Sequence, residues 1–360
     1  MKNNKILVLK GDGVGPEIID CALEVLSVVS EKSDIKYDLD FADIGGAAID
    51  KHGSPFPEET EQKLHNVSAV LLGAVGGPKW DNIDPEIRPE KGLLALRKAL
   101  GVYANLRPCR IYPGLIDNSP LKPEYLKNVD FFIVRELVGG IYFGKRDTFI
   151  EDGLRTAFDE ERYNEAEIKR IAIYAFETAM TRSKKLTLVD KANVLDSSKL
   201  WREVVGEIGE DYPEVELEFL YVDNAAMQLI RRPSNFDVIL TNNIFGDILS
   251  DEASQIAGSI GLLPSASLGA DVGLYEPIHG SAPDIAGKNL ANPLATILSL
   301  GMLLRYSFDL HNEAEQIEQA VKQVMTDGYR TKDLAPDNYL GTREITNEVI
   351  KNLSKRMTVH

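Results

Sequence analysis

Two hydrophobic rhythms alternate along the chain. Short apolar or alternating runs that end near Gly, Asp or Asn read as strands: "KILVLK", "IKYDLDF", "SAVLLGAV", "DFFIVREL", "LTLVD", "VELEFLYV" and "FDVILTN". Between them lie segments with helical spacing. Residues 16–31 put Ile18, Ile19, Ala22, Leu23, Val25, Leu26 and Val29 on one stripe. Residues 165–185 and 243–258 follow the same period. Strand and helix in alternation predict an α/β fold. The last hundred residues break the pattern. Gly/Pro-rich loops over 261–293 lead into helices with little strand signal. The expectation is a C-terminal helical part without strands of its own, packed back on an N-terminal sheet.

Composition narrows the function. A chain of 360 residues suits two domains or one large one, and 44% hydrophobic residues supply ample core. The formal net charge of -16 argues against a general binder of nucleic acid or anionic membrane. An anionic substrate must therefore meet a local cluster of Arg or Lys. Cys21 and Cys109 stand far apart in apolar segments, as buried thiols in a reducing compartment do. With no apolar run long enough for a bilayer and a strand directly at the start, the expected location is cytoplasmic.

Several stretches carry candidate chemistry. "GDGVGPE" (residues 11–17) joins a strand to a helix, but its third glycine arrives one residue early for the dinucleotide fingerprint. A tight turn that starts a helix at Pro16 is the favoured reading over a pyrophosphate site. Glu90, Leu93, Leu94 and Arg97 share one helix face at i, i+3, i+4, i+7. Arg107 follows, and Arg135 sits inside an otherwise apolar strand, where a cation is costly unless it meets an anion. Three Arg from three elements can clamp a dicarboxylate. Asp247 and Asp251 are i, i+4 on one helix, a like-charge pair costing roughly 0.2–0.5 kcal/mol that a divalent cation would reverse. Asp223, after another strand, is a further acid, and Lys191 and Tyr142 are candidates for proton transfer.

Taken together, "GDGVGPE", "GLLALRKALGVYANLRP", "VRELVGGIYFG", "DKANVL", "VDNAAMQL", "TNNIFGDILSDEAS" and "EPIHGSAPDIAGKNLANP" resemble the metal-dependent β-decarboxylating dehydrogenases, the isocitrate and isopropylmalate dehydrogenase family, nearly end to end. The resemblance implies two open α/β domains around a large mixed sheet, not a Rossmann fold. Residues 1–102 with 258–360 would form a discontinuous NAD-binding domain, and 103–257 a middle domain with the interface of a homodimer. Mg²⁺ or Mn²⁺ would sit on Asp247, Asp251 and the partner subunit's Asp223, and NAD on His279, Gly280, Ser281, Ala282, Asp284, Ile285 and Asn292. Asp284 would take the adenosine ribose hydroxyls and repel a 2′-phosphate.

The resemblance also assigns the chemistry. The substrate would be a 2-hydroxy acid with a carboxylate on C3, held by Arg97, Arg107 and Arg135. Lys191 of the partner subunit would take the hydroxyl proton, and Tyr142 would protonate C3 after CO₂ leaves. Leu93 and Leu94 beside Glu90, with the partner's Val194, favour isopropylmalate, and hence leucine biosynthesis, over isocitrate. A tartrate- or malate-type dehydrogenase is the second enzymatic reading, disfavoured because its substrate has no alkyl group for the leucines. A catalytically silent paralogue is the third, disfavoured because Lys191, Tyr142 and the acids are all present.

Overall fold

A computed structural model describes residues 4–357. The strands are β1 (Lys5–Gly11), β2 (Asp38–Ala42), β3 (Ala69–Ala74), β4 (Ala104–Arg110), β5 (Asp130–Glu136), β6 (Arg146–Glu151), β7 (Leu154–Asp159), β8 (Lys185–Asp190), β9 (Glu216–Tyr221), β10 (Val238–Thr241), β11 (Pro264–Leu268) and β12 (Gly273–Pro277). The helices are α1 (Gly15–Ser33), α2 (Gly45–His52), α3 (Glu58–Lys63), α4 (Pro89–Leu100), α5 (Pro123–Leu126), α6 (Glu165–Met180), α7 (Asp196–Gly209), α8 (Val222–Arg231), α9 (Asn243–Ile256), α10 (Leu294–Phe308), α11 (His311–Thr326) and α12 (Thr342–Arg356). The α/β class read from the sequence holds.

The chain divides into two compact units. The first joins Met1–Val102, Tyr112–Pro120 and Ala257–His360; the second joins Tyr103–Ile111 and Leu121–Ile256. Residues 112–120, placed by the sequence reading with the middle of the chain, thus belong to the first unit. Gly114 explains the assignment: a Cβ there would lie 2.2 Å from the Met325 carbonyl oxygen, and Arg330 donates to the Gly114 carbonyl.

In the first unit the strands run β2-β1-β3-β12-β11, the first four parallel and β11 antiparallel to β12. Ile6 to Leu9 of β1 are fully buried, so this strand reads as a continuous apolar run rather than an alternation. Helix α10 is apolar nearly all round and buried on nearly every face, as a core helix must be. In this region the structure departs from the sequence-based expectation, with β11 and β12 lying where loops are predicted. "PSASL" and "GLYEP" are short and bounded by Pro or Gly, so they carry no strand signature. They hold because Ser265 and Glu276 are satisfied across the pair, Ser265 Oγ donating to the Glu276 carbonyl at 2.9 Å.

In the second unit the order is β4-β5-β10-β8-β9, with β4 antiparallel to β5 and the others parallel. Strand β4, "ANLRPCR", was not among the sequence-based strands, since Arg107 and Pro108 interrupt its apolar run. A separate hairpin, β6–β7, also escaped that reading, although "EDGL" advertises it. Asp152 and Gly153 both take positive φ (49° and 77°), the two-residue turn that matches strand twist. Helix α6 starts on a capping box in which Asn164 and Glu167 satisfy one another's backbone amides.

Candidate active site

The first unit answers what "GDGVGPE" is for. Gly11 and Gly13 have positive φ, and a Cβ on Gly13 would lie 2.0 Å from the Ser281 carbonyl oxygen. The Val14 amide donates to that same carbonyl at 2.8 Å. The loop is therefore a tight turn that starts α1 and lies against residues 279–285. Asp12, a residue the sequence reading passed over, is buried and accepts from the amides of Gly46, Ala47 and Gly76 at 2.8, 2.7 and 2.9 Å. Burial pushes its carboxyl up, and the three amides oppose that shift.

The residues expected on the cofactor side form one continuous segment. His279 Nδ1 lies 2.9 Å from the Gly280 carbonyl, while its buried Nε2 has no hydrogen-bond partner among the described residues. Burial pulls the imidazole pKa down, so the neutral ring prevails at neutral pH. Ala282 takes φ 38°, an unusual value for a non-glycine residue. Asp284 is exposed, and its carboxylate has no hydrogen bond or ion pair among the described residues; only its carbonyl accepts, from Lys288 Nζ. Ile285 packs with Val14 and Ile18. Asn292 is buried, with Nδ2 on Asp333 at 3.1 Å and Oδ1 accepting the Leu294 amide at the start of α10.

On α4, Glu90 is exposed and Leu93 and Leu94 are half-buried. Glu90 faces Gly76, whose missing Cβ would stand 2.8 Å from Oε1. Arg97 is paired with Glu276 of β12 at 2.9 Å, a partner the sequence reading did not anticipate because β12 itself was not legible.

In the second unit the buried cations and acids meet. Arg107 and Arg135 are 7% and 3% exposed. Arg107 Nε donates to Asn105 at 2.6 Å, its Nη1 to Ser250 Oγ at 2.5 Å, and Nη1 lies 3.5 Å from Asp247. Arg135 Nη1 donates to Asp247 Oδ1, and Tyr142 Oη donates to Asp247 Oδ2 at 2.8 Å. The anion that compensates the strand-buried Arg135 is thus Asp247 itself. Burial raises the Asp247 carboxyl, but Arg135 and Arg107 outweigh it and hold the group below the usual carboxylate range. Tyr142 is pushed up, first by burial and then by Asp247, and so keeps its proton at neutral pH.

One turn further along α9, Asp251 is exposed, and its carboxylate has no hydrogen bond or ion pair among the described residues. Desolvation by its surroundings raises its carboxyl, and Asp247 adds to that; the two guanidiniums oppose it. An unpaired carboxylate beside a second one fits a hard divalent cation. Among the described residues no three His, Cys, Asp or Glu side chains gather into a complete site. Lys191 and Asp223 pair with each other at 2.5 Å, and that contact lowers the Asp223 carboxyl. Asp223 follows β9 closely, as the sequence predicts, and lies in the first turn of α8. Val194 is 65% exposed.

Comparison with known proteins identifies the class as dehydrogenases of the isocitrate and isopropylmalate type. The family model described as isocitrate/isopropylmalate dehydrogenase matches residues 5–349, and the chain belongs to that family. It is 57% identical to a 3-isopropylmalate dehydrogenase of Clostridium acetobutylicum over 98% of this chain and 100% of that one. For a 3-isopropylmalate dehydrogenase of Aquifex aeolicus the identity is 54%, covering 99% and 98%. Among solved structures, an isocitrate dehydrogenase from Methylococcus capsulatus superposes with a TM-score of 0.87 at 34% identity, covering 98% of this chain and 100% of that one.

Proposed function

We propose that this protein oxidises 3-isopropylmalate with NAD⁺ and releases CO₂ to give 4-methyl-2-oxopentanoate, a step of leucine biosynthesis. The reading rests chiefly on the full-length likeness to 3-isopropylmalate dehydrogenases. The gathering of Arg107, Arg135 and Tyr142 on Asp247 supports it. A divalent cation on Asp247, Asp251 and the partner subunit's Asp223 would supply Lewis acidity, and NAD⁺ the hydride acceptor.

The chain's own groups have separate tasks. Arg97, Arg107 and Arg135 hold the carboxylate that departs. Lys191 of the second protomer accepts the proton of the C2 hydroxyl, and bound NAD⁺ would take up the hydride that leaves C2. Loss of CO₂ then leaves C3 electron-rich, and the protonated Tyr142 is the acid that meets it. The dimer that shares these residues would cover apolar side chains that now stand in water. Ile150 and Leu154 on the hairpin, Met227 on α8, Ile248 on α9 and Val194 are all more than half exposed. Among the described residues no helix is long and apolar enough to cross a membrane.

The deciding experiment is NADH formation with Mg²⁺ and, in turn, 3-isopropylmalate, isocitrate, tartrate and malate. Leu93 and Leu94 should select the first. Burying three alkyl carbons at about 0.8 kcal/mol each gives ~2.4 kcal/mol, or roughly 50-fold in kcat/KM over malate. Equal turnover of malate or tartrate would reverse the substrate reading.

Cofactor choice follows from Asp284. A 2′-phosphate brought against its unpaired carboxylate costs ~1–4 kcal/mol per charge pair, so kcat/KM for NADP⁺ should fall roughly 100-fold below NAD⁺. Comparable values for the two cofactors would remove Asp284 from the ribose site.

A further inference from the structure

The buried amide of Asn243 lies at the junction of three elements that carry the second unit's candidate chemistry. Its Oδ1 accepts from Arg135 Nε at 3.0 Å and Nη2 at 2.7 Å. Its Nδ2 donates to the carbonyls of Leu137 at 3.2 Å and Gly139 at 3.0 Å. Its backbone amide donates to the hydroxyl of Tyr163 at 3.0 Å. Asn243 is 1% exposed and opens α9, one helical turn before Asp247. A single side chain therefore ties the end of β5, the segment leading to Tyr142 and the start of the acid-bearing helix.

We propose that Asn243 is a positioning residue for substrate recognition: it fixes the Arg135 guanidinium and steadies the loop that carries Tyr142. The inference rests on the reading of Arg135 as a substrate-carboxylate ligand. A guanidinium offers its N–H groups in a rigid fork. With Nε and Nη2 committed to one oxygen, the plane of the fork is set and Nη1 is directed to the Asp247 side, as observed. Without that acceptor, Arg135 would have to find a new partner in a site nearly closed to water, and its aim would be lost. The two carbonyls share the dependence, because with the Val138 and Gly139 amides held by Glu136 they anchor the segment just before the 3₁₀ turn Gly140–Tyr142. An aliphatic residue of similar size could fill the space and would leave all four bonds unmade.

The test compares two ligands with saturating Mg²⁺ present. Inhibition or binding constants are measured for 3-isopropylmalate, which has the C3 carboxylate, and for 4-methyl-2-oxopentanoate, which has lost it. In Asn243→Ala the dicarboxylate should bind at least about tenfold more weakly, and the monocarboxylate within about threefold of wild type. Arg135→Lys should show the same selective loss, and the double variant should be no worse than the poorer single one. If the alanine variant does not fold, Asn243→Ser replaces it. Serine suits the first turn of a helix, yet its short hydroxyl cannot hold two guanidinium N–H groups, so the same selective loss is expected. Equal weakening of both ligands, unchanged binding with only a lowered Tm, or additive effects in the double variant would each overturn the role of Asn243. If Arg135→Lys binds the dicarboxylate normally, the reading of Arg135 fails and the proposal falls with it. If Arg135→Lys is impaired and Asn243→Ala is not, only the proposal falls.

Discussion

Asp251→Asn should lower turnover by about 10³-fold and leave the fold intact. The expectation follows from what surrounds each acid of α9. Asp251 is the one without a protein partner for its carboxylate among the described residues, so the substitution breaks no ion pair. It also removes a like charge from the i, i+4 pair, which should leave the helix unharmed or slightly steadier, by roughly 0.2–0.5 kcal/mol. The loss must therefore come from function. Lewis-acid stabilisation is worth several kcal/mol, and about 4 kcal/mol corresponds to the stated 10³-fold. Asp247→Asn is a poorer probe, since it also strips the anion from Arg107 and Arg135 and the acceptor from Tyr142. Three measurements decide: kcat, Tm and Mn²⁺ affinity by calorimetry. Wild-type kcat and Mn²⁺ affinity in the variant would take Asp251 out of the metal site. Undiminished turnover of the native protein after thorough EDTA treatment would end the metal reading altogether.

The difference between Asp247 and Asp251 was not legible in the sequence. Spacing put the two acids on one helix, and the structure keeps them there. Only the fold shows that Asp247 is already balanced by two guanidiniums that arrive from β4 and β5. The same limit applies to Arg97. Its helix was readable from the Glu90–Leu93–Leu94–Arg97 face, whereas its partner Glu276 lies 179 residues away on a strand of Gly, Tyr and Pro without periodicity. Local patterning thus found elements that bury a stripe or a run, such as β1 and α1. It missed those held by tertiary contacts, such as β11 and β12, where small or interrupted residues pack under α10. "GDGVGPE" drew attention to its glycines, yet the residue that organises the neighbouring loops is Asp12, through three backbone amides. Asn243 was hidden in the same way, as a polar residue at a helix start where a cap is the ordinary expectation.

Two inactive variants should restore one another. In the structure, Lys191 is paired with Asp223 of its own chain, and no ion pair joins it to Asp247 or Asp251 among the described residues. In the proposed dimer, Lys191 and Asp223 of one protomer complete the site that holds Asp247 and Asp251 of the other. Lys191→Ala homodimers should then be inactive because the C2 hydroxyl proton has no acceptor, and Asp251→Ala homodimers because the cation is not held. After subunit exchange, half of the dimers are mixed. Each mixed dimer has one site in which the Asp251→Ala chain contributes Lys191 and the Lys191→Ala chain contributes both acids. The other site in that dimer lacks both. One good site of two in half of the dimers gives roughly a quarter of native activity, if the sites act independently. Exchange itself is followed by native mass spectrometry with one chain carrying a mass label. Mixed dimers without activity would mean that Lys191 serves the acids of its own chain. A quarter of native activity would require that it crosses to the partner, and Tyr142→Phe mixed with Lys191→Ala provides the independent check. Tyr142 lies on Asp247 of its own chain, so that mixture too should rebuild one site per mixed dimer.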